Sequence, residues 1–249
     1  MRASLATPKE TRQSHCSMRY LALAADYDGT LASDGHVDEL TVNALRHFIT
    51  SGRKLIMVTG RQLDDLQTVC PHFELFSRVV TENGALLYDP QSKSQRVLAN
   101  PPNPELVEEL RRRGVPVSAG KVIIATSRPH EKEVLDLIRE QRLELQVILN
   151  KASVMVLPSG VDKGTGLKCA LSELGIPLRK TIGVGDAEND EAFLALCGCS
   201  VAVANALNAL KTRVRLVTVN EGGAGVVELI NEVLRSGAPV YCRSLRTPS

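Results

Sequence analysis

The sequence has no tryptophan, and aromatic residues make up only 3% of its 249 positions. Aliphatic side chains must therefore build the core, and a hydrophobic content of 43% is enough for a substantial one. No apolar run approaches the roughly 20 residues of a membrane-spanning helix. The length fits one large domain or two modest ones.

Long blocks of one charge sign are also missing. The 30 Lys and Arg residues nearly balance the 28 Asp and Glu residues, for a formal net charge of +2. This balance argues against a nucleic-acid partner and gives no evidence for a membrane surface. The five histidines have no metal-ligand spacing. The oligomeric state stays open.

The six cysteines contain no CxxC pair, which predicts reduced thiols in a cytoplasmic protein. Residues 1–17 lack the apolar core of a signal peptide and read as a disordered extension, with Met1 or Met18 as the true start. Residues 237–249 read as a second, loosely held tail.

Short apolar segments alternate with helical patterns in two parts of the chain. The first part has predicted strands at 20–25, 54–60 and 78–89, with helices at 38–52 and 63–70. The second has helices at 163–175, 188–196 and 224–236, strands at 180–185, 200–205 and 215–219, and a turn at Gly222, Gly223 and Gly225. This alternation predicts an α/β fold, with a Rossmann-like parallel-sheet core made of residues 18–85 and 159–236.

The segment between these parts follows a different pattern. Helices are predicted at 105–114 and 130–142, and strands at 121–126, 145–150 and 153–158. Two helices and three strands in so short a stretch form a layer of their own. We predict an inserted α+β cap subdomain over residues 86–158.

Acidic residues follow two of the predicted core strands. Asp26 and Asp28 are two positions apart on an extended segment, so their side chains point the same way, about 6–7 Å apart. Taken alone, such a pair is more typical of a solvated turn than of a metal site. Asp186, followed by Asn189 and Asp190, occurs after the strand at 180–185. Two strands that end in aspartates indicate one divalent-metal site, and an all-oxygen acidic pocket suits Mg²⁺.

Other residues at strand and helix ends suit a phosphate. Thr59 and Gly60 follow the second strand and offer a hydroxyl and accessible backbone N–H groups. Lys163 begins a helix, where its charge opposes the helix dipole unless it serves an anion. The GxxxxGK[ST] run of a P-loop kinase is absent.

Taken in chain order, four motifs resemble those of the haloacid dehalogenase superfamily of phosphotransferases: "DYDGT" at 26–30, "VTGR" at 58–61, the lysine at 163 and "GDAEND" at 185–190. "TENGALLY" at 81–88 and the long insert narrow the resemblance to the Cof-like group with an α/β cap, subclass IIB. That group includes sugar-phosphate phosphatases and archaeal-type phosphoglycolate phosphatases. The resemblance spans about residues 19–233.

The resemblance implies a role for each matching residue. Asp26 would be the nucleophile that forms an aspartyl-phosphate, and Asp28 the general acid/base. Asp26, the backbone carbonyl of Asp28, and Asp186 would hold Mg²⁺. The implied phosphate-binding residues are Thr59, Gly60, Lys163 and Asn189, with Asp190 in support of the metal or the lysine. Further candidates for substrate contacts are Arg61, Asn83, Arg128 and His130.

These residues together predict a Mg²⁺-dependent phosphatase that hydrolyses a small phosphorylated metabolite, such as phosphoglycolate or a sugar phosphate. Two alternatives stay open. One is a phosphomutase of the same superfamily, and the other is a non-catalytic module that binds a phosphorylated ligand.

Overall fold

The structure is a computed structural model of the chain and describes residues 20–239. The predictions for residues 1–17, for a start at Met18 and for the tail from residue 240 lie outside the described residues. Among the residues that are described, no helix is long and apolar enough to cross a membrane.

Twelve strands and eight α-helices make up the described chain. The strands are β1 (Ala22–Ala25), β2 (Lys54–Val58), β3 (Arg78–Thr81), β4 (Leu86–Asp89), β5 (Ser94–Val97), β6 (Ser118–Ala119), β7 (Ile124–Ser127), β8 (Leu145–Asn150), β9 (Ser153–Pro158), β10 (Thr181–Gly185), β11 (Cys199–Ala202) and β12 (Leu216–Val217). The helices are α1 (Glu39–Thr50), α2 (Leu63–Val69), α3 (Pro104–Arg112), α4 (Glu131–Glu140), α5 (Lys163–Glu173), α6 (Glu191–Leu194), α7 (Asn208–Lys211) and α8 (Gly222–Ser236).

Eight strands form one large sheet in the order β12-β11-β10-β1-β2-β3-β4-β5. The pairs from β12 to β3 are parallel. Central strands such as β1 and β10 are buried along their whole length, because helices cover both faces of a parallel sheet. The predicted α/β class with a Rossmann-like core is confirmed.

The inserted segment forms a second sheet of four antiparallel strands in the order β6-β7-β9-β8. Leu106 and Leu110 of α3 and Val134 and Leu137 of α4 share a separate buried cluster with Val156 of β9. The amphipathic spacing of both helices produces this cluster. The predicted α+β insert is therefore present.

The start of the insert differs from the expected boundary at residue 86. Strand β4 pairs antiparallel with β3, and β5 pairs with β4, so residues 86–97 extend the large sheet. The chain reverses at Glu82–Gly84, where Asn83 has φ 53°. Because this turn makes a hairpin, the apolar run "ALLY" stays in the core. We therefore propose residues 98–158 as the cap.

Two further details differ from the sequence predictions. Gly222, Gly223 and Gly225 belong to α8 and are buried, whereas we expected a turn. A Cβ at Gly223 would lie 2.3 Å from Thr41 Oγ1, so glycine lets α8 approach the start of α1. Cys70, Cys169 and Cys197 are free thiols, but Cys199 is disulfide-bonded, so the prediction of reduced thiols is wrong there.

Candidate active site

Two aspartates meet at the carboxyl end of the large sheet. Asp26 follows β1 and Asp186 follows β10, and these strands pair in parallel with Ala25 opposite Val184. The Asp26 N–H donates to the Val184 carbonyl over 3.0 Å, which continues the ladder to the edge of the sheet. The parallel register therefore brings the two side chains together from positions 160 residues apart in the chain.

Asp26, Asp186 and Asp190 form a buried acidic cluster, with one carboxylate oxygen of each within 4.8 Å of the others. Burial, followed by the charge of Asp190, holds the pKa of Asp26 well above its usual range. Burial also raises the pKa of Asp186. Clustered carboxylates that resist ionisation are stabilised by a cation, and an all-oxygen donor set suits Mg²⁺. These residues therefore fit a divalent metal ion.

Lys163 is the buried counter-charge of this cluster. Its Nζ lies 2.5 Å from Asp26 Oδ1 and 2.5 Å from Asp190 Oδ1. Burial alone would lower the pKa of Lys163, but the charges of Asp190 and Asp26 outweigh it and raise the pKa above its usual value. The α5 N-terminus is capped by Asp162, which accepts from the Thr165 N–H over 2.8 Å. An ammonium is thus fixed beside Asp26.

Asp190 positions this lysine. Its Oδ2 accepts from the backbone N–H groups of Asp186 and Ala187 at 2.8 and 3.0 Å, while Oδ1 faces Lys163. The close contact needs Gly185, because a Cβ there would lie 2.5 Å from Asp190 Oδ2. Both oxygens of Asp190 are therefore engaged by the protein.

Asp28 lies outside the acidic cluster and pairs with Arg61. Its two carboxylate oxygens accept from Arg61 Nε and Nη2 over 2.7 and 2.8 Å. Arg61 Nη1 also donates to Asp65 over 2.6 Å. The side chain of Asp28 is 44% exposed, so the pair lies at the surface of the site. Asp28 does not contribute its carboxylate to the acidic cluster.

The predicted phosphate-binding residues lie in two places. Thr59 and Gly60 follow β2 and line the same cleft as Asp26 and Asp28. Asn189 and Asn83 line a neighbouring pocket of about 380 Å³, where Asn189 Nδ2 donates to Asn83 Oδ1 over 2.9 Å. The remaining amide atoms of this pair, Asn189 Oδ1 and Asn83 Nδ2, are buried without a partner.

Arg128 and His130 are not brought to the site. Arg128 is exposed in the turn after β7, and His130 precedes α4. Neither residue lines the cleft. The turn is instead tied to the β8–β9 hairpin, because the Arg128 N–H donates to the Ala152 carbonyl over 2.9 Å.

Lys151 is a site residue that the sequence did not reveal. It lies in the tight turn between β8 and β9, and its Nζ is 2.7 Å from Asp186 Oδ2. Burial alone would lower the pKa of Lys151, but its hydrogen bond to Asp186 and the nearby charges raise it. A lysine in a two-residue turn is normally exposed to solvent. The sequence therefore gives no sign of this contact, which forms only because the cap docks onto the core.

Glu82 is a second residue whose contact between core and cap the sequence did not reveal. Its carboxylate accepts from the backbone N–H groups of Lys121, Val122 and Ile123 at 2.9, 2.7 and 2.9 Å. The side chain is buried although it is ionisable. A core carboxylate therefore fixes the turn that leads into β7 of the cap.

A cleft of about 570 Å³ separates the core site from the cap. Its core wall includes Asp26, Asp28 and Thr59, and its cap wall includes Lys151 and Met155. This volume lies in the range that small-molecule sites occupy. The arrangement places a buried carboxylate, an adjacent ammonium, and a carboxylate cluster that fits a cation at one end of this cleft.

Comparisons with known proteins agree with this geometry. The model of the haloacid dehalogenase-like hydrolase family matches residues 23–114 and 118–230. "Phosphoglycolate phosphatase 2" of Saccharolobus solfataricus is 28% identical over 219 residues, covering 86% of this chain and 92% of that protein.

Solved structures show the same fold. A haloacid dehalogenase-like hydrolase from Bacteroides thetaiotaomicron superposes with a TM-score of 0.75 at 18% identity, over 86% of this chain and 99% of the other. A haloacid dehalogenase subclass IIB sugar phosphatase superposes with a TM-score of 0.69 at 20% identity, over 87% of this chain and 98% of the other.

Proposed function

The chain belongs to the haloacid dehalogenase-like hydrolase family and is a phosphatase, and from that premise we propose that it hydrolyses phosphoglycolate or a similarly small phosphate monoester through an aspartyl-phosphate on Asp26. The observation that carries this proposal is the contact between Lys163 and Asp26 in the buried floor of the cleft. The Saccharolobus solfataricus relative supports the substrate class.

In the first step, a carboxylate oxygen of Asp26 attacks phosphorus. The bond from phosphorus to the leaving oxygen breaks, and its electron pair stays on that oxygen. Asp28 gives a proton to the leaving oxygen, which departs as an alcohol. Because Arg61 occupies both oxygens of Asp28, one of these hydrogen bonds must open before Asp28 can carry the proton.

In the second step, Asp28 takes a proton from a water molecule, and the resulting oxygen nucleophile attacks the phosphorus of the aspartyl-phosphate. The bond from phosphorus to Asp26 breaks, which restores the carboxylate and releases inorganic phosphate. Asp28 thus returns to its protonated form, and the two steps balance.

Lys163, Thr59 and Gly60 would bind the phosphoryl oxygens during both steps. Lys163 remains an ammonium because Asp26 and Asp190 surround it, so it offsets the charge that develops during transfer. Asn189 completes this set in our proposal. Its position behind Gly60, whose added Cβ would lie 3.7 Å from the donor Asn189 Nδ2, supports the assignment.

We propose Asp26, the backbone carbonyl of Asp28, and Asp186 as the ligands of Mg²⁺. When bound, the ion neutralises negative charge on the phosphoryl group and on the clustered carboxylates. Asp190 keeps the cluster in place through Lys163 and two backbone N–H groups.

We further propose a cytoplasmic enzyme whose partner is a small metabolite rather than a nucleic acid or membrane. The near-balanced charge of the chain supports this assignment.

Phosphate release from a substrate panel tests the proposed function. The panel holds phosphoglycolate, hexose phosphates, sucrose and trehalose phosphates, and nucleotides, each assayed with Mg²⁺ and with EDTA. We expect release that is strongest for small monoesters and is lost with EDTA. Transfer to an acceptor sugar without phosphate release would indicate a mutase, and binding without any turnover would indicate a non-catalytic module. Either result would contradict the proposal.

A further inference from the structure

The cap presents one cation to the cleft, and we propose that this residue, Lys151, selects substrates that carry a carboxylate on the leaving group. The inference rests on the proposed function and narrows its substrate class to small phosphate monoesters of hydroxy acids. Lys151 would bind the non-phosphate end of the substrate while Asp26 attacks its phosphorus.

The position of Lys151 lets it reach the reacting end of the cleft. Its Nζ lies 2.7 Å from Asp186 Oδ2, and Asp186 itself is 1% exposed. The Lys151 side chain is 52% exposed, so only part of it is covered by this contact. The ammonium has three N–H donors, and it has donors left for a ligand after it pairs with Asp186.

In-line transfer directs the leaving group toward the cap. Asp26 lines the core end of the cleft, so a phosphoryl group that it attacks lies within the cleft. The leaving oxygen departs on the side opposite to the nucleophile. The cap wall, where Lys151 lies, is therefore the surface that the leaving group meets.

The other cations of the site are committed to carboxylates. Arg61 makes two hydrogen bonds to Asp28 and one to Asp65. Lys163 is buried between Asp26 and Asp190. Among the described residues that line the cleft, Lys151 is the one charged residue on the cap side. An anionic leaving group would therefore find its counter-charge at Lys151.

Among the described residues, the neighbours of Lys151 on the cap wall carry no charge. Ile123, Ala125 and Met155 give this wall an apolar part, and Ser118 and Ser153 add two neutral hydroxyl groups. A leaving group with a carboxylate would therefore meet one cation, at Lys151, and no competing charge on the cap side.

Two matched substrates test the inference by kcat/KM. Phosphoglycolate carries a carboxylate, and 2-hydroxyethyl phosphate has a hydroxymethyl group in its place. For Lys151→Met we expect a loss of about tenfold to a hundredfold on phosphoglycolate, as for a hydrogen bond to a charged group. On 2-hydroxyethyl phosphate we expect less than about a threefold change. Lys151→Arg should keep most of the preference, and Lys132→Met, on the exposed face of α4, should behave as the unmodified enzyme.

Equal losses on both substrates would overturn the inference, because Lys151 would then act only as a contact that closes the cap onto Asp186. An unchanged preference in Lys151→Met would overturn it as well. The same holds if the unmodified enzyme prefers the neutral ester.

Binding of 3-phosphonopropionate, a non-hydrolysable analogue of phosphoglycolate, separates this inference from the proposed function. Calorimetry should show at least about tenfold weaker binding to Lys151→Met than to the unmodified protein. Such a loss without turnover of any substrate would sustain the role of Lys151 and contradict the phosphatase mechanism. Equal binding to both proteins would overturn the role of Lys151, whatever the activity.

Discussion

The core end and the cap wall of the cleft differ in how firmly the protein holds their charged groups. Asp26, Asp186, Asp190 and Lys163 are at most 4% exposed, and Lys163 and Asp190 each have several partners within the protein. Lys151 on the cap wall is half exposed, with one carboxylate partner, on a hairpin turn. The core end is thus preorganised for a fixed reaction, while the cap wall can vary with the substrate.

The largest expected effect separates these regions by activity. Asp26→Asn removes the proposed nucleophile, so we expect at least about a 10³-fold loss of kcat on every substrate. Lys151→Met should retain activity on a neutral ester. Steady-state phosphate release measures both variants. If both variants lost similar amounts of kcat on the neutral ester, the core end and the cap wall could not be assigned separate roles in catalysis and in substrate selection.

Stability should show the same contrast. Lys163→Met leaves Asp26 and Asp190 buried without their counter-charge, and we expect a loss of about 3–5 kcal/mol in the free energy of unfolding. Lys151→Met removes a half-exposed partner of the buried Asp186, which keeps its hydrogen bond from Thr30, so we expect a smaller loss of about 1–2 kcal/mol. Urea unfolding followed by circular dichroism measures both, with Lys132→Met as the control. Equal losses in Lys163→Met and Lys151→Met would contradict the comparison.

A metal titration tests the core end by itself. At a Mg²⁺ concentration 100 times the dissociation constant, a single site should stabilise the unmodified protein by about 2.7 kcal/mol. Thermal unfolding should therefore move to a higher temperature with Mg²⁺ and should not do so in Asp186→Asn. Asp136→Asn, on α4 of the cap with a side chain that is 43% exposed, offers a matched control and should keep the shift. A shift that persists in Asp186→Asn would place the ion elsewhere.

A smaller expected effect on stability concerns the hydrogen bonds by which Glu82 of the core holds the cap. Glu82→Gln removes one of the oxygens that accept from the cap turn, and we expect a loss of about 1–3 kcal/mol. Hydrogen exchange at the amides of Lys121, Val122 and Ile123 should become faster. Glu144→Gln, at an exposed cap position, should leave these amides unchanged. Unaltered exchange in Glu82→Gln would mean that other contacts hold the cap.

The core end is the part that sequence patterns predict well. Asp26 and Asp186 each follow a buried apolar strand, and parallel strands place their carboxyl ends at one edge. Lys163 begins a helix where its charge opposes the dipole, which marks it as a ligand residue. Each of these positions therefore has a local sequence signal, and the α/β alternation predicts that they lie at the same edge of the sheet.

The cap wall has no such local signal. Lys151 lies in a two-residue turn, where a lysine normally faces solvent, and its contact with Asp186 depends on how the cap docks. Glu82 is likewise paired with residues about 40 positions away. Arg128 and His130 were predicted as substrate contacts from their position after a cap strand, but neither is among the residues that line the cleft. These contacts depend on how the cap docks onto the core, and the spacing of residues along the sequence does not predict that docking.

The glycines of α8 illustrate a related limit. Gly222, Gly223 and Gly225 are typical of a turn by their conformational freedom. Gly222 does use this freedom, with φ 47°. Gly223 and Gly225 are instead required for their lack of a side chain at a crowded helix start, where Gly223 faces Thr41 and Gly225 faces Thr218. Only the packing of α8 against its neighbours reveals this requirement.

Trapping of the covalent intermediate tests the central claim most directly. The protein is mixed with phosphoglycolate and Mg²⁺, quenched in acid during turnover, digested and examined by mass spectrometry. We predict one phosphoryl group on the peptide that contains Asp26, and none on the same peptide of Asp26→Asn. Turnover without a phosphoryl group on Asp26, or turnover that survives in Asp26→Asn, would contradict the mechanism.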